Sequence, residues 1–104
     1  MEQNKLTFYD DWYVFEDIIL YAFRYAIGRH TYAVEEITSW LKKNSHLISK
    51  RMVDVMKKDV NDIIDKYESI GNMPSYVKID YDTLVDFRQW LLDFEKGFGE
   101  NDRQ

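Results

Sequence analysis

An all-α fold, a small antiparallel bundle of four helices at about 11–27, 32–44, 50–70 and 81–96, follows from three features of the sequence. Only four Gly and one Pro interrupt 104 residues, so turn-forming punctuation is scarce. Between these breaks apolar residues recur three and four apart, the period of a helix face. Hydrophobic residues make up 45% of the chain, with 3 Trp, 8 Tyr and 6 Phe; at this length they supply one core, not two.

The first helix starts near Asp10 or Asp11, whose carboxylates suit the free N–H groups of a first turn, and runs to Ile27. Gly28 stands where a helix-ending residue takes a left-handed conformation. Trp12, Phe15, Ile18, Ile19, Leu20, Tyr21, Ala22, Phe23, Ala26 and Ile27 cover nearly its whole circumference, which predicts a central, buried helix. Thr31 is a natural N-cap for the second helix, Tyr32 to about Asn44. Its apolar stripe is Ala33, Val34, Ile37, Trp40 and Leu41, with Glu35 and Glu36 near the positive end and Lys42 and Lys43 in the last turn. "NSHLIS" reads as a short connection.

The third helix, about Lys50 to Ile70, carries Val53, Met56, Val60, Ile63, Tyr67 and Ile70 three and four apart. Asp54–Lys58 and Asp62–Lys66 are acid-before-base pairs at i,i+4 on its solvated side. Gly71 ends it, and "GNMPSYVKI" reads as a loop with an extended piece at Tyr76–Ile79. Asp80 or Asp82 then caps a fourth helix with Leu84, Phe87, Leu91 and Phe94 at 3-4-3 spacing and Trp90 alongside, stopped by Gly97 and Gly99. The ends, about 1–6 and 98–104, read as disordered, around a single domain.

Composition narrows the chemistry. Zero Cys excludes disulfides, thiolate metal sites and a Cys nucleophile, and two His exclude a His-rich metal site. Asp80, Asp82 and Asp86 come without a Gly-rich calcium loop, and helix capping accounts for one of them, so no metal and no cofactor is expected. "MEQNKLTFYDD" lacks a positive region followed by an apolar run. The stretch from Trp12 to Ile27 is broken by Glu16, Asp17 and Arg24 and is too short to span a bilayer comfortably. A cytoplasmic protein without membrane association is the expectation. A net charge of −5 disfavours nucleic acid as a partner, since phosphate neutralisation supplies most non-specific affinity. The charge is uneven: Lys42, Lys43, Lys50, Arg51, Lys57 and Lys58 face only Asp54 within 42–58, whereas residues 80–102 are strongly acidic. That asymmetry suits a homodimer or an oppositely charged protein partner.

The densest stretch is "YAFRYAIGRHTYAV", residues 21–34. Arg24 and His30 stand six apart, an arrangement similar to the loose Arg-x(4–6)-His signature of HEPN-type ribonucleases, small all-helical dimers. In such chemistry a basic pair over a scissile phosphate activates the 2′-hydroxyl and stabilises developing charge. The structural account makes Arg24 a semi-buried charge satisfied by Asp17, Glu16 or a carbonyl, and His30 a solvated loop residue. Arg29 and His30 follow a helix C-terminus, where positive charge meets unpaired carbonyls; the alternative is an anion site shared with Thr31 and the first N–H groups of the second helix. No P-loop, dinucleotide fingerprint, His-Glu-x-x-His or nucleophile elbow occurs. Seventeen aromatic rings exceed what a small bundle buries, and Tyr9, Tyr13, Tyr25, Tyr76 and Tyr81 fit the apolar stripes least well. They are candidates for an interface patch, with ordinary core or rim packing as the alternative.

Ala22, Phe23, Arg24, Tyr25, Ala26, Ile27, Gly28, Arg29, Thr31 and Tyr32 together resemble a stretch shared by a group of small phage and prophage proteins. That resemblance implies a mobile-element origin and brings no reaction. Small acidic phage proteins commonly act by binding, which implies a module that modulates or inhibits a host or defence protein, for example a replication factor or a CRISPR nuclease.

Overall fold

The computed structural model describes residues 8–29 and 32–101, and the side chains of 13–29 and 32–98. Four helices make up its frame: α1 (Phe8–Ile27), α2 (Tyr32–Lys43), α3 (Lys50–Ile70) and α4 (Ser75–Asn101), with a short 3-10 turn at Ser45–Leu47. The all-α bundle predicted from periodicity is therefore present, and α3 has the expected bounds.

Side-chain pairs define the arrangement. Arg51 reaches Glu16 and Asp59 reaches Arg24, both 35 residues apart; a constant offset means that α1 and α3 run parallel. Lys57–Glu95, Asn61–Arg88 and Glu68–Tyr81 count in opposite directions, so α3 and α4 are antiparallel. Lys42 of α2 meets Asp86 of α4 at 2.9 Å. Each helix packs chiefly against two neighbours, in the cyclic order α1, α2, α4, α3. Consecutive helices alternate in direction, while the chain crosses from α2 to the opposite corner through the 3-10 turn. Ser49 caps α3 there, its Oγ accepting from the N–H of Met52 at 3.3 Å.

The core lies between the four corners. Phe23, Ile27, Val34, Leu41, Met52, Met56, Ile64, Leu84, Phe87 and Leu91 are fully or almost fully buried. Phe23 of α1 and Phe87 of α4 meet across the centre with ring centroids 5.6 Å apart. From Phe87 an aromatic ladder climbs α4 through Trp90, Phe94 and Phe98, at 5.5, 5.0 and 5.2 Å.

Several expectations are corrected. The extended piece at Tyr76–Ile79 is helical. Val77 and Asp80 are buried and continue the spacing of Leu84, Phe87 and Leu91 backwards by three and four, so packing of that face outweighs the strand preference of Val and Tyr. Asp80 therefore lies inside α4 instead of capping it, and Asp82 is engaged with Lys78 at 2.9 Å. Neither Gly97 nor Gly99 stops α4, which continues to Asn101; an interior Gly costs only about 1 kcal/mol, and the Phe94–Phe98 contact spans Gly97. Helix α1 begins at Phe8, which puts positions 10 and 11 in its first turn. The third-helix ion pairs are Lys50–Asp54 and Lys58–Asp62, each aspartate taking the lysine on its N-terminal side.

The largest correction concerns α1. It is a corner helix, not a central one: Glu16, Ile19, Leu20, Phe23, Ala26 and Ile27 face inward, while Val14, Ile18, Tyr21 and Tyr25 are exposed.

Candidate functional site

Three places in this frame gather residues capable of recognition. The first is the knuckle after α1. The Arg24 Nε donates to Asp59 Oδ2 of α3 at 3.1 Å, with 57% of the arginine side chain open to solvent. Arg24 is thus neither semi-buried nor satisfied by Glu16 or Asp17, which belong to Arg51. Helix α1 ends at Ile27, before Gly28, so Arg24 does not share a continuous helix with position 30. His30 and Thr31 lie outside the described residues. Arg29 stacks over the Tyr25 ring, 4.9 Å from its centroid, and donates to the Tyr25 hydroxyl.

The second is a clamp between α1 and α3. Arg51 Nε donates to Glu16 Oε1 at 2.9 Å, and its Nη2 donates to Asp17 Oδ1 at 3.0 Å. Its guanidinium lies 5.1 Å from the Tyr13 ring centroid. The hydrogen bond to Asp17 is the largest influence on Arg51 and raises its pKa above the ordinary arginine value; desolvation, next in size, opposes it, and the hydrogen bond to Glu16 and the charges of both acids add to the rise. Among the described residues no buried side-chain polar atom lacks a hydrogen-bond partner, and none of the acids and histidines among them converge in threes to form a metal site.

The third is a cleft between α2 and α4. Tyr32, Tyr76 and Ile79, all more than half exposed, line it with Glu35, Asp80 and Thr83 around a cavity of about 320 Å³. Tyr32 and Glu35 also border the adjoining groove that runs along α2 past Glu36 and Ser39 to Trp40 and Lys43. The parallel course of α2 and α4 sets Tyr32 beside Tyr76, 44 positions apart, as it sets Lys42 beside Asp86. Asp80 forms part of this wall and is buried. Behind it Tyr67 is held above the usual tyrosine pKa, first by its own burial and then by the Asp80 charge.

The predicted tyrosine patch is thereby divided. Tyr76 lines the cleft, Tyr25 lies on the outer face of α1, and Tyr13 faces Arg51. Tyr81 donates to Glu68 Oε2 at 2.6 Å on the α3–α4 edge, and that bond raises its pKa. Tyr9 belongs to α1, but its side chain is outside those described. Residues not foreseen as site residues are Tyr32 and Ile79 in the cleft and Val14, Ile18 and Tyr21 on α1. For the last group the signal was present: a helix apolar all round carries two stripes, and a corner position buries only one. The basic segment and the acidic C-terminal third are paired in part with each other, through Lys42–Asp86 and Lys57–Glu95. No helix among the described residues is long and apolar enough to cross a membrane. Comparison of the chain with protein-family models, with curated proteins and with solved structures finds no match.

Proposed function

We propose that this chain is a protein-binding module that modulates or inhibits a host or defence protein, and that the α2–α4 cleft receives the partner. The observation that carries this reading is the pair of exposed tyrosines, Tyr32 and Tyr76, standing over a concave wall with Ile79. Exposed tyrosines lose little conformational freedom on binding and dominate interface energetics when a partner covers them. A cavity of about 320 Å³ is near the lower end of ligand-sized pockets and accommodates an inserted side chain. Glu35, Glu36 and Asp80 make the surroundings acidic, which suits a lysine or arginine on an aliphatic stem. The resemblance of residues 22–32 to phage proteins supports the class of partner: a bacterial replication or transcription factor, or a defence nuclease.

The test compares wild type with Tyr32→Ala/Tyr76→Ala as bait in bacterial host lysate. One stoichiometric partner is expected on the wild type, with at least a tenfold loss of its affinity for the variant, about 1.4 kcal/mol. Capture that ignores both tyrosines would remove the cleft from the reading. Absence of any partner, together with RNA cleavage by the pure protein that Arg24→Ala abolishes, would replace it with the ribonuclease.

A further inference from the structure

The outer face of α1 presents Val14, Ile18, Tyr21 and Tyr25, which are 59, 60, 66 and 66% exposed. Their spacing is four, three, four, the a/d register of a helix-pairing seam. The inward residues Glu16, Ile19, Leu20, Phe23, Ala26 and Ile27 occupy the opposite side, so none of the four seam residues belongs to the core formed by the described residues. We infer that a second copy of this chain covers it, with the two α1 helices antiparallel about a twofold axis between residues 19 and 20.

The register itself argues for this occupant. The four seam positions are symmetric about that midpoint, so a twofold places Val14 against Tyr25 of the other copy and Ile18 against Tyr21, small against large in every rung. An isologous contact requires such self-complementarity. The flanks obey the same symmetry. On the side toward α2, Phe15 comes beside Ala22 of the second copy, again large against small. On the side toward α3, Asp17 comes beside Arg24 of the second copy, twice in the dimer; their side chains are 50 and 57% open, so each can take a further partner beyond Arg51 and Asp59. A parallel pair would instead set Arg24 beside Arg29 of the other copy, a like-charge contact that opposes that orientation. Charge therefore selects the antiparallel arrangement, and shape fills it.

Area sets its strength. At two thirds of the roughly 150–250 Å² that a buried aromatic removes from water, Tyr21 and Tyr25 alone contribute about 200–330 Å² per copy. One helix face with its flanks remains below the about 800 Å² per partner of a standard interface, so the dimer dissociates on dilution. It leaves the α2–α4 cleft of each copy open and does not rest on what that cleft binds.

Sedimentation velocity over an about hundredfold concentration range tests the proposal. Wild type should pass from 12.6 kDa toward twice that mass. Ile18→Glu/Tyr21→Glu should remain at one chain with unchanged helical circular dichroism, because neither side chain belongs to the core. The orientation is read by cross-linking. The chain has no Cys, so Val14→Cys and Tyr25→Cys copies can be mixed and oxidised. The expected product joins one of each, and products joining like copies would overturn the antiparallel register. A wild type that stays monomeric throughout overturns the dimer, including the case in which a foreign helix takes the seam. A dimer indifferent to Ile18→Glu/Tyr21→Glu overturns the assignment of its face.

Discussion

Glu16 is 2% exposed, and its charge is tolerable because the Arg51 guanidinium pairs with it, Nε donating to Oε1 at 2.9 Å. If Arg51 is removed, the carboxylate stays buried without a cation, while the pair itself is partly screened on the arginine side. Arg51→Met should therefore lower stability by about 1–3 kcal/mol, and Glu16→Gln in the same chain should recover part of that loss. Urea unfolding of the two single variants and the double variant measures the coupling. As a contrast, Lys58→Ala in the exposed Lys58–Asp62 pair should cost less than about 1 kcal/mol; equal losses at the two sites would contradict the clamp. These partners were not legible from spacing. An i,i+4 rule sees pairs within a helix, whereas Arg51 and Arg24 find their acids on another helix 35 residues away. The rule also leaves Asp54 and Asp62 with a lysine on either side, and side-chain geometry chooses between them.

Two glycines behave oppositely at the scale of the helix. Gly71 ends α3 with φ 87 and ψ −69, and the N–H of Asn72 donates to the carbonyl of Ile70 at 3.0 Å. That is a γ-turn of positive φ, a conformation costly to any residue with a Cβ. A Cβ there would touch nothing, so the cost of Gly71→Ala is one of backbone alone, about 1–3 kcal/mol. Gly97 sits within α4 with open space around its Cβ position. Gly97→Ala should stabilise by about 0.5–1 kcal/mol, because the unfolded chain loses freedom and the helix accepts the methyl group. Thermal melts of the two variants should move in opposite directions. The glycines look alike in sequence, and only the continuing aromatic ladder distinguishes a stop from an interior position. The same reasoning explains why residues 75–79 read as loop and Asp80 as a cap: the buried Val77 and Asp80 declare their face only once α3 and α2 are placed against it.

Across the whole molecule, the proton on Tyr67 links stability to pH. Its folded-state pKa lies above the unfolded value, chiefly through burial and then through Asp80, so the native state holds the proton more tightly. The stabilisation is complete below the ordinary tyrosine value of about 10 and is lost as pH rises through the raised folded value. The unfolding temperature should fall as pH rises from the ordinary tyrosine value toward the raised folded one, and this contribution should level off above it. Tyr67→Phe should flatten the fall, leaving the part due to Tyr81 and its bond to Glu68; melts followed by circular dichroism across the alkaline range would show it. An unchanged slope would separate Tyr67 from alkaline unfolding.

Periodicity determined the four helices, the bounds of α3 and most of the buried face of α4, because each helix must hide an apolar stripe and the stripe repeats along the chain. What tertiary structure decided was which neighbour each stripe meets. The placement of α1 at a corner left one of its two apolar stripes outside. The parallel pairing of α2 with α4 brought Tyr32 and Tyr76 to one cleft, and that of α1 with α3 gave Arg24 to Asp59. Helical period is a local property that sequence carries directly, whereas the order of helices around a core depends on contacts between residues tens of positions apart. "YAFRYAIGRHTYAV" accordingly declared a helix end by itself, while the outward course of its Tyr21 and Tyr25 became visible only in the folded bundle.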